Sequence, residues 1–128
     1  MRIVYVEDNA ANFLLVRKVL EVRGEHDVEQ APSAEIGWER IVADPPRLVL
    51  LDLDLPGMSG LELARRLKAD ERTRDVPVVA ISASVMKEER SQALEAGCVW
   101  FVEKPFDIQE LRRVVREAIA GRDPGADR

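Results

Sequence analysis

Short uninterrupted apolar runs alternate along the chain with stretches whose apolar positions recur at helical spacing. The runs are residues 3–6, 28–31 (the weakest), 48–51, 76–81 and 99–102. Continuous rather than alternating apolar character is expected of strands covered on both faces. Between the runs lie amphipathic stretches. In the first, Ala11, Leu15, Val16, Val19, Leu20 and Val22 fall on one half of a helical wheel, and Arg17, Lys18 and Glu21 on the other. The last runs from about 107 to 120, with Ile108, Leu111, Val115 and Ile119 as its apolar stripe. Ser59 with Glu62 and Asp107 with Glu110 have capping-box spacing, and Gly24 is placed to end the first helix.

Five strand–helix repeats predict right-handed crossovers and a parallel sheet with helices on both faces. The expected fold is α/β, a doubly wound, flavodoxin-like (βα)5 arrangement with strand order 2-1-3-4-5. Residues 1–120 are expected to form one domain. The polar stretch GRDPGADR, 121–128, is expected to be a flexible tail.

In a doubly wound sheet, ligands bind beyond the carboxyl ends of the strands, so the residues after each run matter most. Glu7 and Asp8 follow the first, Asp52 ends the third with Asp54 two residues on, Ser82 follows the fourth, and Lys104 the fifth. One Asp at a strand end is ordinarily a turn or helix cap. Four strand ends carrying complementary chemistry are not. Clustered carboxylates repel unless a cation intervenes. A small open site of oxygen ligands suits Mg²⁺, and a lysine and a hydroxyl beside it suit phosphoryl oxygens.

Composition narrows the function further. The chain has 128 residues, 46% hydrophobic and 34% charged, with a net charge of −5, which argues against a nucleic-acid surface. Without Glu7, Asp8, Asp52 and Asp54 that charge would be −1, so most of it gathers at one sheet edge. One cysteine, Cys98, and one histidine, His26, exclude an internal disulfide and a Cys-rich zinc cluster. No apolar run approaches a membrane span, and a cytoplasmic setting is expected.

The runs VYVEDN, LVLLDLDLPGMSGLEL, VPVVAIS and WFVEKPF resemble the response regulator receiver domains of two-component signalling, over about residues 2–120. The combination is specific: an acidic pair, D-x-x-x-P-G-M-x-G, a hydroxyl after the fourth strand and K-P after the fifth. The stretch ASVMKEERSQALEAGC most resembles single-domain cell-division-type regulators and the receivers of hybrid histidine kinases.

The resemblance implies that Asp52 is the phosphoacceptor, taking a phosphoryl group from a sensor histidine kinase or a histidine phosphotransfer protein. Asp8 would bind Mg²⁺ directly, Glu7 through water, and Asp52 and the Asp54 backbone carbonyl would complete the protein ligands, with Mn²⁺ as a substitute metal. Ser82 and Lys104 would bond phosphoryl oxygens. Phe101 would be the switch aromatic, and the Lys104–Pro105 bond would be cis. Output would pass through the face of the fourth helix, fifth strand and fifth helix to a downstream protein, with a phosphorylation-dependent dimer left open. No effector segment is expected within these residues.

The sequence departs from the common pattern at three positions. Ser82 stands where threonine is commoner, Phe101 lacks a phenol, and Asp54 puts a charge beside the route of attacking water. A second reading, a haloacid-dehalogenase-like phosphatase, takes Asp52-Leu53-Asp54 as its D-x-D. That family wants Thr or Val where Pro56 stands and an acidic pair after the lysine. An FMN carrier lacks its phosphate loop here, and no P-loop motif occurs. Cys98, Trp38 and, more narrowly, Trp100 read as packing residues. His26 reads as a solvated turn residue, and residues 87–90 as a solvated helix face.

Overall fold

The computed structural model describes residues 1–55, 59–83 and 87–122. Strands β1 (Arg2–Val6), β2 (Asp27–Ala31), β3 (Leu48–Asp52), β4 (Val78–Ser82) and β5 (Trp100–Glu103) alternate with helices α1 (Ala10–Glu21), α2 (Ala34–Ala43), α3 (Gly60–Ala69), α4 (Lys87–Glu95) and α5 (Ile108–Ile119). All strand pairs are parallel, and the order is β2-β1-β3-β4-β5. The order reverses between β1 and β3, which pair in register from Ile3 with Leu48 to Val6 with Leu51. The residues that follow, Glu7 and Asp52, therefore leave the sheet side by side at its carboxyl edge.

The sheet separates two apolar layers. Ile3, Tyr5, Leu48, Leu50, Val79, Ile81 and Val102 pack with α1 and α5. Val4, Val6, Val49, Leu51, Val78, Ala80 and Phe101 pack with α2, α3 and Ala93 of α4. Successive side chains point to opposite faces, so strands apolar at every position serve both layers.

Helix ends follow the local chemistry. Asn9, Ser33, Ser59 and Asp107 cap α1, α2, α3 and α5, each accepting a backbone N–H from the first turn. Gly24 adopts φ +72° and donates its N–H to the Glu21 carbonyl, ending α1 as expected. At Gly60 a Cβ would lie 3.0 Å from the Asp52 carbonyl oxygen. Glycine there lets the first turn of α3 close against the end of β3.

Several expectations need correction. In α1 the buried residues are Phe13, Val16, Val19 and Leu20, while Ala11, Leu15 and Val22 face solvent. Ile108, assigned to the apolar stripe of α5, is exposed, whereas Val114 is buried. Strand β4 begins at Val78 because Val76 closes a turn onto Thr73 and Pro77 has no N–H to give the ladder. Of the expected tail, Gly121 and Arg122 still bond to α5, and Arg122 pairs with Glu117. Residues 123–128 and the Pro56-Gly57-Met58 part of the motif lie outside the described residues, as do residues 84–86 of the cell-division-type stretch. Among the described residues no helix is long and apolar enough to cross a membrane.

Candidate functional site

Four loops at the carboxyl edge bring the expected residues together. Glu7 continues β1 and is buried. Its Oε1 accepts the Asn9 N–H at 3.0 Å, and its Oε2 accepts the Tyr5 hydroxyl at 3.0 Å. Tyr5 and Glu7 alternate onto the same face of β1, so the phenol reaches the carboxylate within one strand. Burial, and next the adjoining Asp52 carboxyl, push Glu7 up to about 7 against the lowering effect of the Asn9 N–H. The Tyr5 hydroxyl is held well above its ordinary value by burial and by the Glu7 charge.

Asp52, the last residue of β3, is also buried. Its Oδ1 accepts the backbone N–H of Asp54 at 2.8 Å, and its Oδ2 accepts Lys104 Nζ at 3.1 Å. Carboxyl oxygens of Glu7, Asp8 and Asp52 lie within 4.8 Å of one another, with Asp8 the exposed member. Lys104 follows β5 and extends back over the edge, 3.9 Å from Glu7 Oε2 and 3.7 Å from Asp54 Oδ2. Burial alone would lower the ammonium. The Asp52 hydrogen bond and the charges of Asp52, Glu7 and Asp54 outweigh it and leave Lys104 raised. The Lys104–Pro105 bond is cis.

Ser82 ends β4, buried, and its Oγ donates to Asp54 Oδ1 at 3.0 Å. The next N–H, of Ala83, donates to Asp54 Oδ2 at 3.0 Å. Phe101 is buried on β5, its ring stacked on Trp100 at 4.7 Å and covered by the Arg90 guanidinium at 4.3 Å. Arg90, expected on a purely solvated helix face, thus also caps an aromatic ring.

Every site residue named from the sequence lies at this edge or, for Phe101, on the strand beside it. Sequence reasoning missed four participants: the Tyr5 hydroxyl and the N–H groups of Asn9, Asp54 and Ala83. Tyr5 was legible in principle, two residues before Glu7 on one strand. The backbone donors carry no sequence signal. Outside the site, Cys98 is a buried core residue, and Trp38 and Trp100 pack against the core, as read. His26 is half-buried rather than solvated, in a small cleft with Arg112 and Arg116, and burial lowers its imidazole.

The donor set fits a divalent cation. Three carboxyl groups converge against one ammonium, two of them are buried, and the exposed Asp8 leaves an open side for water.

Comparison with known proteins places this geometry. The response regulator receiver domain family matches residues 3–116. The chain is 36% identical over 123 residues to the phosphate regulon transcriptional regulatory protein PhoB of Pseudomonas aeruginosa, covering 96% of this chain and 53% of that protein. It is 31% identical over 114 residues to the polar-differentiation response regulator DivK of Brucella ovis, covering 89% and 92%. The chain thus spans about half the length of PhoB and nearly all of DivK. Among solved structures, the receiver domain of the sensor histidine kinase PA1611 from Pseudomonas aeruginosa has magnesium coordinated in its active-site cleft. It aligns with a TM-score of 0.85 and 28% identity over 93% of this chain and 97% of that one. A CheY-like receiver domain protein from Methanospirillum hungatei aligns with a TM-score of 0.85 and 26% identity over 94% of each. The match decides between the two aspartyl-phosphate readings in favour of the switch: this chain belongs to the response regulator receiver domain family, the phosphoacceptor switches of two-component signalling.

Proposed function

We propose that Asp52 accepts the phosphoryl group, that Lys104 and Ser82 hold its oxygens, and that Phe101 relays the change to the face formed by α4, β5 and α5. The observation that carries this reading is Lys104 Nζ at 3.1 Å from Asp52 Oδ2, with Glu7 and Asp8 crowded against the same carboxyl group at the topological switch of the sheet.

An Asp52 oxygen attacks phosphorus while the bond from phosphorus to the donor's imidazole nitrogen breaks. That nitrogen keeps the electron pair, and the product is an acyl phosphate on Asp52. Positioning and charge neutralisation do nearly all the work in such transfers. Lys104 holds the carboxylate in place and neutralises charge on one oxygen of the incoming group. The Asp54 N–H fixes the other carboxylate oxygen, leaving little rotational freedom to lose. Asp8, Asp52 and the Asp54 backbone carbonyl would hold Mg²⁺ directly, with Glu7 through water. The metal, for which Mn²⁺ can substitute, supplies neutralisation of charge on the phosphoryl oxygens. In the buried pair of Tyr5 and Glu7, the phenol gives the carboxylate a partner that does not need the metal.

The phosphoryl donor is a sensor histidine kinase or a histidine phosphotransfer protein, a reading supported by the likeness to the PA1611 receiver, part of a sensor histidine kinase. The downstream partner is a protein that reads the α4–β5–α5 face, and a second phosphorylated copy is a candidate for that role. The domain acts on itself rather than turning over a separate substrate. The proposed setting is the cytoplasm, whose reducing conditions suit a single buried thiol.

Transfer from a phosphorylated histidine kinase tests the reading. Label should move to this chain only with Mg²⁺ or Mn²⁺ present, and Asp8→Ala should remove most of the transfer. Undiminished transfer in excess chelator would contradict the metal role.

A further inference from the structure

The two side-chain donors assigned to the phosphoryl group, and the backbone N–H that follows Ser82, already face an anion of the chain itself. Ser82 Oγ donates to Asp54 Oδ1 at 3.0 Å, the Ala83 N–H donates to Asp54 Oδ2 at 3.0 Å, and Lys104 Nζ stands 3.7 Å from the same Oδ2. These donors come from the ends of β4 and β5, so the convergence is tertiary and not a local turn. The Asp54 N–H meanwhile bonds Asp52 Oδ1, which fixes the carboxylate beside the acceptor. Phe101, on the neighbouring strand β5, is buried, only 7% exposed.

We propose that Asp54 is an internal stand-in for the phosphoryl group. Its carboxylate holds Ser82, Ala83 and Lys104 where the phosphorylated state needs them and must leave when Asp52 is phosphorylated. The inference rests on the reading of Asp52 as phosphoacceptor.

A carboxylate offers two oxygens and one negative charge. A phosphoryl group offers three oxygens and nearly two charges. Both satisfy the same donors, and two anions cannot share them without repulsion. Phosphorylation is then an exchange of anions rather than the filling of a vacant donor set. The Asp54 side chain is 40% exposed, so an outward rotation gives it water in place of its lost partners. Two consequences follow. The phosphoryl group binds less tightly than the donor set alone would allow. Exchanging one anion for another also shifts the Ser82 and Phe101 surface less than filling the donor set would, because a modification shifts a two-state equilibrium only by its differential stabilisation of the two states.

Asp54→Ala separates these effects. The side chain is surface-exposed, its removal opens no core cavity, and the backbone carbonyl and N–H at this position remain. Beryllofluoride with Mg²⁺ is the probe for the phosphoryl group. Calorimetric titration should show Asp54→Ala binding it about tenfold more tightly than wild type, the scale of one charge-assisted hydrogen bond. Asp54→Asn keeps an acceptor for Ser82 but cannot also serve Ala83 and Lys104, and should fall between. The Ala83 amide should exchange with solvent faster in unligated Asp54→Ala than in wild type. The fluorescence change of Trp100, stacked on Phe101, should be larger in Asp54→Ala when the probe binds. Equal affinities, or an Ala83 exchange rate unmoved by Asp54→Ala, would overturn the proposal. Beryllofluoride binding that survives Asp52→Asn would instead overturn the assignment of the acceptor. The Ala83 comparison needs no ligand and judges Asp54 separately.

Discussion

Lys104 Nζ sits 3.1 Å from Asp52 Oδ2, although 52 residues separate the two in sequence. The contact exists because β3 and β5 both pair with β4 and end at the same edge of the sheet. It couples the acidic cluster at the β1–β3 switch point to the strand that carries Phe101. On the proposed function, phosphoryl transfer and output share one ammonium group, and changes around it should separate the two.

Replacing Lys104 with methionine keeps the stem and removes the charge. Glu7 and Asp52, both buried, lose the ammonium between them. The expected cost is about 1–3 kcal/mol of stability in metal-free buffer, partly recovered by Mg²⁺. Phosphorylation from acetyl phosphate should fall by about 100-fold or more, the scale of losing one donor to a developing anion. Urea melts and labelling rates measure the two effects separately.

The acids of the proposed metal site should oppose folding when no metal is present. Asp8→Asn removes one charge from a cluster whose oxygens lie within 4.8 Å of one another. Its melting temperature in chelator should exceed that of wild type, by a margin equivalent to about 1 kcal/mol. Mg²⁺ should stabilise wild type by mass action and the variant far less. A lower melting temperature for the variant in chelator would mark Asp8 as a structural residue.

Phe101→Ala should leave labelling of Asp52 nearly intact, because the ring lies against Trp100 and Arg90 on β5 and α4. Loss of a buried ring should cost about 3–5 kcal/mol in stability, less where the site collapses. The gain in affinity for the downstream partner on adding beryllofluoride should shrink toward unity. A gain equal to that of wild type would remove Phe101 from the output route.

Burial pushes the Cys98 thiol up to about 12, with Lys68 opposing weakly. The folded chain therefore binds this proton more tightly than the unfolded chain does. The associated stability is complete below the unfolded thiol's ordinary value and is lost progressively as pH rises from about 9 toward 12. At pH 8 a disulfide reagent should label native Cys98 slowly, at a rate that follows unfolding, and urea-unfolded protein at once.

The sheet order and the edge carrying the chemistry were legible because strand runs apolar at every position admit few architectures, and such sheets bind beyond their carboxyl ends. The phase of α1 was not. Phe13, Leu14, Leu15 and Val16 are four consecutive apolar residues, so the helical wheel has no sharp edge, and packing against Tyr5 selects Phe13 and Val16. The start of β4 was misplaced because Val76 looks like strand while Pro77 withholds the ladder donor. Asp54 was visible as an odd charge. The direction of its side chain depends on Ser82, 28 residues away, and on a backbone N–H that no residue type announces.

The chemical identity of the modified residue bears most directly on Asp52 as phosphoacceptor. Incubation with acetyl phosphate and Mg²⁺, followed by borohydride reduction, converts an aspartyl phosphate to homoserine, which peptide mass spectrometry locates. Homoserine is expected at position 52 alone, absent in chelator and absent from Asp52→Asn. Homoserine at Asp8 or Asp54 in the wild-type chain, or acid-labile phosphate retained at full yield in Asp52→Asn, would contradict that assignment.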